Sequence, residues 1–372
     1  MKTATVLGGY GVFGERISRA LAETEGISVR IAGRHPDRGR QLAEAIGAQL
    51  VACDVADRGS LDTCLDDTDL LVHAAGPFQD NGHPVARATI AAGVHYIDIS
   101  DARDVVTSVV SLDEEALAAG VTVVSGASTV PAISGAMASH LARGLATIDS
   151  IGITLSPGNR NPRGSATIAA ILSYLGRAHR VWIDGAWQVR HGWSDPERVD
   201  FPPPVGTRTT YACDVPDLEL FPGAFGARTV RFRAGLELPT LNRALATLGW
   251  LRRRHLLPDL RGLAPWFRRA SMLLGGSGTP HGGLHVCVTG RDAAGEPADR
   301  RAALIAEEDG PATPGTPAIL LARKLLVGPG LPPGARPCLD MLTLREIVAQ
   351  LQPTGARCLV READGRWNDL TD

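Results

Sequence analysis

The chain has 372 residues, too many for one ordinary hydrophobic core, so two domains are expected. With 44% hydrophobic and 21% charged residues it has the composition of an ordinary globular protein, and a net charge of -2 gives no electrostatic ground for binding nucleic acid. No apolar run approaches the length of a membrane span and no secretory leader precedes the first strand-like run, so the expected compartment is the cytoplasm.

The first element, Thr3 to Leu7, is a short apolar run that leads directly into Gly8-Gly9-Tyr10-Gly11-Val12-Phe13-Gly14. The GxGxxG spacing is followed by an amphipathic stretch, 15–21, and then by a second strand-like run, Val29 to Ala32, at the distance of one βαβ unit. In that context the glycines read as a dinucleotide cradle. Gly9 makes the tight turn out of the strand, Gly11 lets backbone approach a pyrophosphate, and Gly14 lets the next helix pack closely. The free N–H groups and positive dipole end of that helix face the phosphates, with Tyr10, Val12 and Phe13 completing the cradle.

The second strand ends in Gly33-Arg34-His35-Pro36-Asp37-Arg38. A site for NAD places an acid about 20 residues beyond the glycines to hold the ribose 2′-hydroxyl. Here Arg34 takes that place, and with Arg38 it offers a permanently charged set of donors to the 2′-phosphate of NADP. The competing account is a pair of solvated loop charges.

The pattern continues with a helix over 38–46, a strand over 49–53 capped by Asp54, and a helix over 59–65. A strand over 69–73 then runs into Ala74-Ala75-Gly76-Pro77-Phe78, followed by a helical stretch 83–93, a strand 95–99, a helix 111–119 and a strand 121–125. Six alternations with short connections give an α/β class, a Rossmann-type doubly wound, mostly parallel sheet. Ligands bind such sheets outside the carboxyl ends of the strands. That rule selects Asp54, Ala75, Gly76 and Pro77 for the cofactor and Phe78 and Ser128 for a substrate. Candidate acids and bases cluster on the fifth strand: Asp98 first, with His95, Tyr96 and Asp101. A structural role is the alternative for Asp98, whose carboxylate would then bond loop N–H groups. His73, inside an apolar strand, reads as structural.

Beyond Pro131 a helix over 133–144 carries the chain into runs separated by turns: 151–155, 181–183, 228–232 and 284–288. These predict a second domain of α+β type. Its helix 165–175 follows Gly158-Asn159-Arg160-Asn161-Pro162-Arg163-Gly164, so Arg160 and Arg163 are candidates for a substrate carboxylate or phosphate, with a solvated loop as the alternative. The stretch 241–274 sets Trp250 and Trp266-Phe267 beside arginine clusters; it covers an acyl chain, lies on a membrane, or packs on its domain with the arginines in water, and packing is the favoured reading. A helix with Pro317 in its first turn spans 316–326. The six cysteines form no Cys-x-x-Cys and no Cys/His ligand spacing, which argues against a metal site and a disulfide scaffold. Lys2 and Lys324 are the only lysines, so a catalytic lysine is not expected.

Several of these stretches, 8–14, 32–34, 75–78, 92–100 and 125–132, together resemble the saccharopine dehydrogenase-like reductases. The resemblance is firm over about the first 140 residues and loose afterwards. It implies an NAD(P)-binding Rossmann domain, a catalytic and dimerising second domain, and a C-terminal helix returning to the first. It also implies oxidoreductase activity, in the best-known members on a C–N bond that links two amino-acid skeletons; members resembling enoyl reductases of lipid synthesis exist as well. The chain lacks a lysine where the lysine-forming enzymes place one. The resulting expectation is an NADP domain over 1–130 completed by 314–352, an α+β substrate and dimerisation domain over 131–313, and an extension over 353–372. Its partners would be NADPH, a small-molecule substrate and a second copy of the chain.

Overall fold

The computed structural model describes residues 1–79, 82–162, 164–257, 260, 262, 267, 269, 276–362 and 365–370. The chain forms two compact units, Met1–Ala132 with Pro311–Leu342, and Ile133–Gly310 with Thr343–Asp372.

The first unit is built on β1 (Lys2–Leu7), β2 (Ile27–Gly33), β3 (Gln49–Ala52), β4 (Leu70–His73), β5 (His95–Asp98), β6 (Thr122–Ser125) and a last strand, Gly334–Pro337. All run parallel, in the spatial order 334–337, β6, β5, β4, β1, β2, β3. β4 and β6 are buried along their whole length, the polar His73, Thr122 and Ser125 included, as central strands covered on both faces are. The strand order reverses between β1 and β4, the kind of switch point at whose carboxyl ends such sheets bind ligands.

The helix after β1, α1 (Gly14–Ala22), buries Ile17, Ser18 and Leu21 and pairs Glu15 with Arg19 on its exposed face at 2.8 Å. The helix Ala312–Leu326 returns to this unit. Its Gly315 lies where a Cβ would come within 3.0 Å of Ile17, and Arg323 donates to the Ala20 carbonyl at 3.0 Å and the Thr24 hydroxyl at 2.9 Å, satisfying the end of α1.

The second unit is organised on Leu145–Ser156, which pairs in parallel with Thr229–Ala234 and antiparallel with Gly282–Asp292 inside a ten-stranded mixed sheet. Two expectations about the chain's end need correction. The stretch 314–352 does not stay with the nucleotide unit: the chain leaves it after Leu342, and the helix Leu344–Leu351 buries Ile347 and Leu351 in the second unit. Nor is 353–372 a separate extension, because Arg357–Arg361 pairs with Ala302–Ile305 and then with Trp367–Asp369, continuing the second sheet. Among the described residues no helix is long and apolar enough to cross a membrane.

Candidate functional site

The glycine loop sits at the strand-order reversal. Gly8 has φ +79°, and a Cβ there would lie 2.9 Å from the Ala75 nitrogen, so the loops after β1 and β4 touch backbone to backbone. The left-handed residue of the tight turn out of β1 is therefore Gly8, where Gly9 was expected to make that turn. Gly9 is required for a different reason: its Cβ would stand 2.8 Å from the Val6 carbonyl and 2.9 Å from the Ser18 hydroxyl, which itself donates to the Gly9 carbonyl at 3.1 Å. At Gly14 a Cβ would fall 2.1 Å from the Gly8 carbonyl oxygen, so this glycine seats α1 on the loop itself.

Gly11 is unlike the others. It is exposed, and a Cβ there would meet only the Gly8 carbonyl, at 3.1 Å. Internal packing makes a weaker demand for glycine at this position, as expected if the demand comes from a ligand. The N–H groups of Tyr10, Val12 and Phe13 find no acceptor among the described residues, and no side chain caps α1. Unpaired donors at a helix N-terminus fit a pyrophosphate.

At the end of β2, Arg34 and Arg38 are exposed and make no ion pair among the described residues, whereas Arg40 is taken by Asp37 at 2.6 Å. Two free guanidinium groups where an acid would repel phosphate fit the 2′-phosphate of NADP. Asp54, after β3, is half-buried; its Oδ1 accepts the Ala56 N–H at 3.1 Å in an Asx turn, and its N–H donates to Ser60.

After β4 the chain passes through Ala75 and a cis Gly76–Pro77 bond to Phe78, whose ring meets His73 edge-on at 4.9 Å. Burial lowers the His73 pKa to about 4, so the ring is neutral and carries one proton. The Ala75 carbonyl, 3.2 Å from Nε2, can only accept; Nε2 therefore donates, and Nδ1 accepts from the Tyr96 hydroxyl at 3.0 Å. His73 thus fixes the Ala75 carbonyl from below, a function that its place in an apolar strand did not announce.

The candidate acids and bases separate. Asp98 is fully buried: its Oδ1 accepts the Ser100 and Gly126 N–H groups, both at 2.9 Å, and the Ser125 hydroxyl at 3.0 Å. Its Oδ2 meets no partner at hydrogen-bond distance among the described residues, and the nearby Tyr96 hydroxyl adds to the pull on the carboxylate. Burial raises its pKa against the pull of those donors. His95 does not join it. Register places His95 opposite Leu70, at the amino end of β5, where its N–H donates to the Asp69 carbonyl and its Nδ1 accepts the Thr122 N–H. Ligands bind at the other end of such a sheet, so the grouping of His95 with Asp98 in one site is corrected. Asp101 lies past the carboxyl end of β5; the residue is exposed as a whole, but its carboxyl receives the Gln79 amide at 3.4 Å and is desolvated enough that its pKa is raised against that bond. Ser128 is buried beyond β6, 6% exposed.

In the second unit Arg160 is exposed on a loop bound at its base by Glu237. That carboxylate accepts the Asn159 N–H at 2.7 Å and the Thr279 N–H and hydroxyl at 2.8–3.0 Å, with Arg208 at 3.6 Å. Burial opposes its ionisation, but these donors hold it below the usual carboxylate range. Arg163 lies outside the described residues. Among the described residues no cluster of histidine, cysteine and acidic side chains could hold a metal ion.

A parallel sheet reversing at β1 and β4, a glycine cradle with unpaired donors, and two free arginines at β2 define a dinucleotide-binding unit of Rossmann type. Residues 5–124 match the family model of the saccharopine dehydrogenase NADP binding domain. Over the whole of both chains the fold matches saccharopine dehydrogenase (L-Glu forming) from Saccharomyces cerevisiae, at 16% identity and a TM-score of 0.70. GenD2 from gentamicin A biosynthesis, in complex with NAD, is matched over 100% of this chain and 97% of its own at 14% identity and a TM-score of 0.46. A DAP dehydrogenase mutant of Clostridium tetani E88 with DAP is matched over 95% and 99% at 12% identity and a TM-score of 0.48. No curated protein sequence matches significantly. The first unit thus matches a saccharopine dehydrogenase NADP-binding domain, and the chain as a whole has the fold of saccharopine dehydrogenase.

Proposed function

We propose that the protein transfers hydride between NADPH and an imine or other amino-acid-derived substrate. The observation that carries the substrate class is Arg160, an exposed guanidinium on a loop that Glu237 anchors, suited to a carboxylate. NADPH, when bound, supplies the hydride; the protein supplies position, charge and a proton. Tyr10, Val12 and Phe13 hold the pyrophosphate through their N–H groups, and Arg34 and Arg38 hold the 2′-phosphate. Asp101, exposed past the carboxyl end of β5, exchanges the proton, and Asp98 keeps that loop in place. In this reading the protein works as a cytoplasmic homodimer, which light scattering and cell fractionation test.

A second reading has its own observation. The helix Pro239–Arg253 packs through Asn242, Leu245 and Gly249, yet Trp250 is 52% and Leu256 is 63% exposed beside the exposed Arg253 and Arg254. A lipid-linked enoyl substrate would use such a surface. The stretch 258–274 bears on it too, although most of that segment lies outside the described residues. The deciding experiment follows NADPH oxidation with 2-oxo acids mixed with amino acids, and separately with long-chain enoyl thioesters, alongside co-sedimentation with anionic liposomes. Imine reduction without liposome binding is expected. Enoyl reduction with liposome binding favours the second reading, and tight NADPH binding without turnover on either panel points to a nucleotide sensor.

A further inference from the structure

We infer that Tyr10 is a positioning residue for cofactor selectivity, setting the preference for NADPH over NADH by shaping the loop that carries Arg34 and Arg38. The inference rests on the reading of those arginines as the 2′-phosphate site. Tyr10 belongs to the glycine loop after β1, but its side chain reaches the end of β2. Its hydroxyl accepts the His35 N–H at 3.1 Å, the residue next to Arg34. Its ring lies against two glycines that flank the arginines: a Cβ on Gly33 would stand 2.5 Å from the hydroxyl oxygen and 2.7 Å from Cε1, and one on Gly39 would stand 3.1 Å from Cδ1.

Both glycines are buried, and neither has a positive φ, so what excludes a side chain at Gly33 is the tyrosine and not the backbone conformation. Gly39 is bounded on another side by Leu50 Cδ2 at 3.0 Å. The loop from Gly33 to Gly39 is therefore moulded on one aromatic ring and tied to it at His35, between its two exposed arginines. Those arginines have no partner among the described residues to fix them, so their placement depends on the backbone beneath. A rigid, prepositioned pair of charges binds a phosphate better than a mobile pair, because less order must be gained on binding. NADH carries no 2′-phosphate, and its binding should not draw on this arrangement.

The test is calorimetric titration of the full chain with NADPH, NADH and 2′,5′-ADP. Tyr10→Phe keeps the ring and removes the bond to His35; NADPH and 2′,5′-ADP should weaken about 3- to 10-fold while NADH stays within twofold. Tyr10→Ala and Gly33→Ala, which remove or displace the ring, should lower the NADPH-to-NADH preference further. In a background lacking both guanidinium groups, Arg34→Ala with Arg38→Ala, Tyr10→Phe should have no further effect on that preference, since the tyrosine acts through the arginines. Equal weakening of NADPH and NADH in Tyr10→Phe, or unchanged affinity for both, overturns the inference while leaving the Arg34 site intact. A wild-type protein that binds the two cofactors equally overturns the 2′-phosphate site itself and this inference with it.

Discussion

Asp98 accepts the Gly126 N–H at 2.9 Å, and through this bond the carboxyl end of β5 is tied to the turn that leaves β6. The same oxygen holds Ser100 and Ser125, so one carboxylate shapes two of the loops at the carboxyl ends of the sheet. Asp98→Asn keeps an acceptor oxygen but puts an amide where Oδ2 has no partner, a cost of about 1–3 kcal/mol for a buried unsatisfied group. Melting temperature and NADPH affinity should fall together. Asp101→Asn, at an exposed position, should leave both nearly unchanged and lower turnover by roughly 10²- to 10⁴-fold once a substrate is in hand. Loss of turnover in Asp98→Asn with stability and affinity intact would return the acid–base role to Asp98.

Arg34→Asp should narrow or reverse the cofactor preference. Removing a charge-assisted phosphate contact costs about 1.5–3 kcal/mol, roughly ten- to a hundredfold in NADPH affinity. An acid at this place can also bond the 2′-hydroxyl of NADH. Dissociation constants for NADPH and NADH that do not move relative to one another in the mutant rule out Arg34 as the phosphate ligand.

The three glycines of the GxGxxG spacing should separate by phenotype. Gly14→Ala forces a Cβ to 2.1 Å from the Gly8 carbonyl oxygen, so α1 must shift and the unit should lose stability with or without cofactor. Gly11→Val needs only a small adjustment against the same oxygen, and should keep the wild-type melting temperature while abolishing NADPH binding. A Gly11→Val protein that binds NADPH normally would show that this glycine serves the turn alone.

The cradle was legible because its demands are local: glycines at fixed spacing, an apolar run before them and an amphipathic helix after. The place of Arg34 at the end of the second strand could be read for the same reason. What the sequence could not show was which face and which end of a strand a polar residue occupies. His95 and Asp98 are three residues apart, yet the four-residue strand sends one to the amino end, beside Asp69, and buries the other at the carboxyl end. Tyr10 could be placed in the loop but not across it, since its contact with Gly33 joins two strands 20-odd residues apart in sequence. The helix Asp217–Phe225 carries an internal Pro222 that argues against a helix locally, and tertiary burial of Leu218 and Phe221 overrides it.

That helix supplies the last expectation. Asp217 is fully buried at its first turn, bonded by the Ser134 hydroxyl, with Oδ2 unpartnered among the described residues. Burial raises its pKa from 3.8 to about 7 against the stabilising bond from Ser134. With the folded value above the unfolded one, the native state holds the proton more tightly, so this group's contribution is complete below about pH 4, declines as pH rises, and is gone above about pH 7. His73 and His285, both lowered to about 4 by burial, act in the opposite sense, losing stability as pH falls below 6.5. A single melting curve therefore mixes the two trends, but the difference between wild type and Asp217→Asn cancels the histidines. Asparagine mimics the neutral carboxyl, so the advantage of the mutant over wild type should be small near pH 4, grow through pH 5 and 6, and reach several degrees at pH 8. A difference that is constant across that range would mean that Asp217 does not titrate there, and that its burial is compensated by a partner for Oδ2.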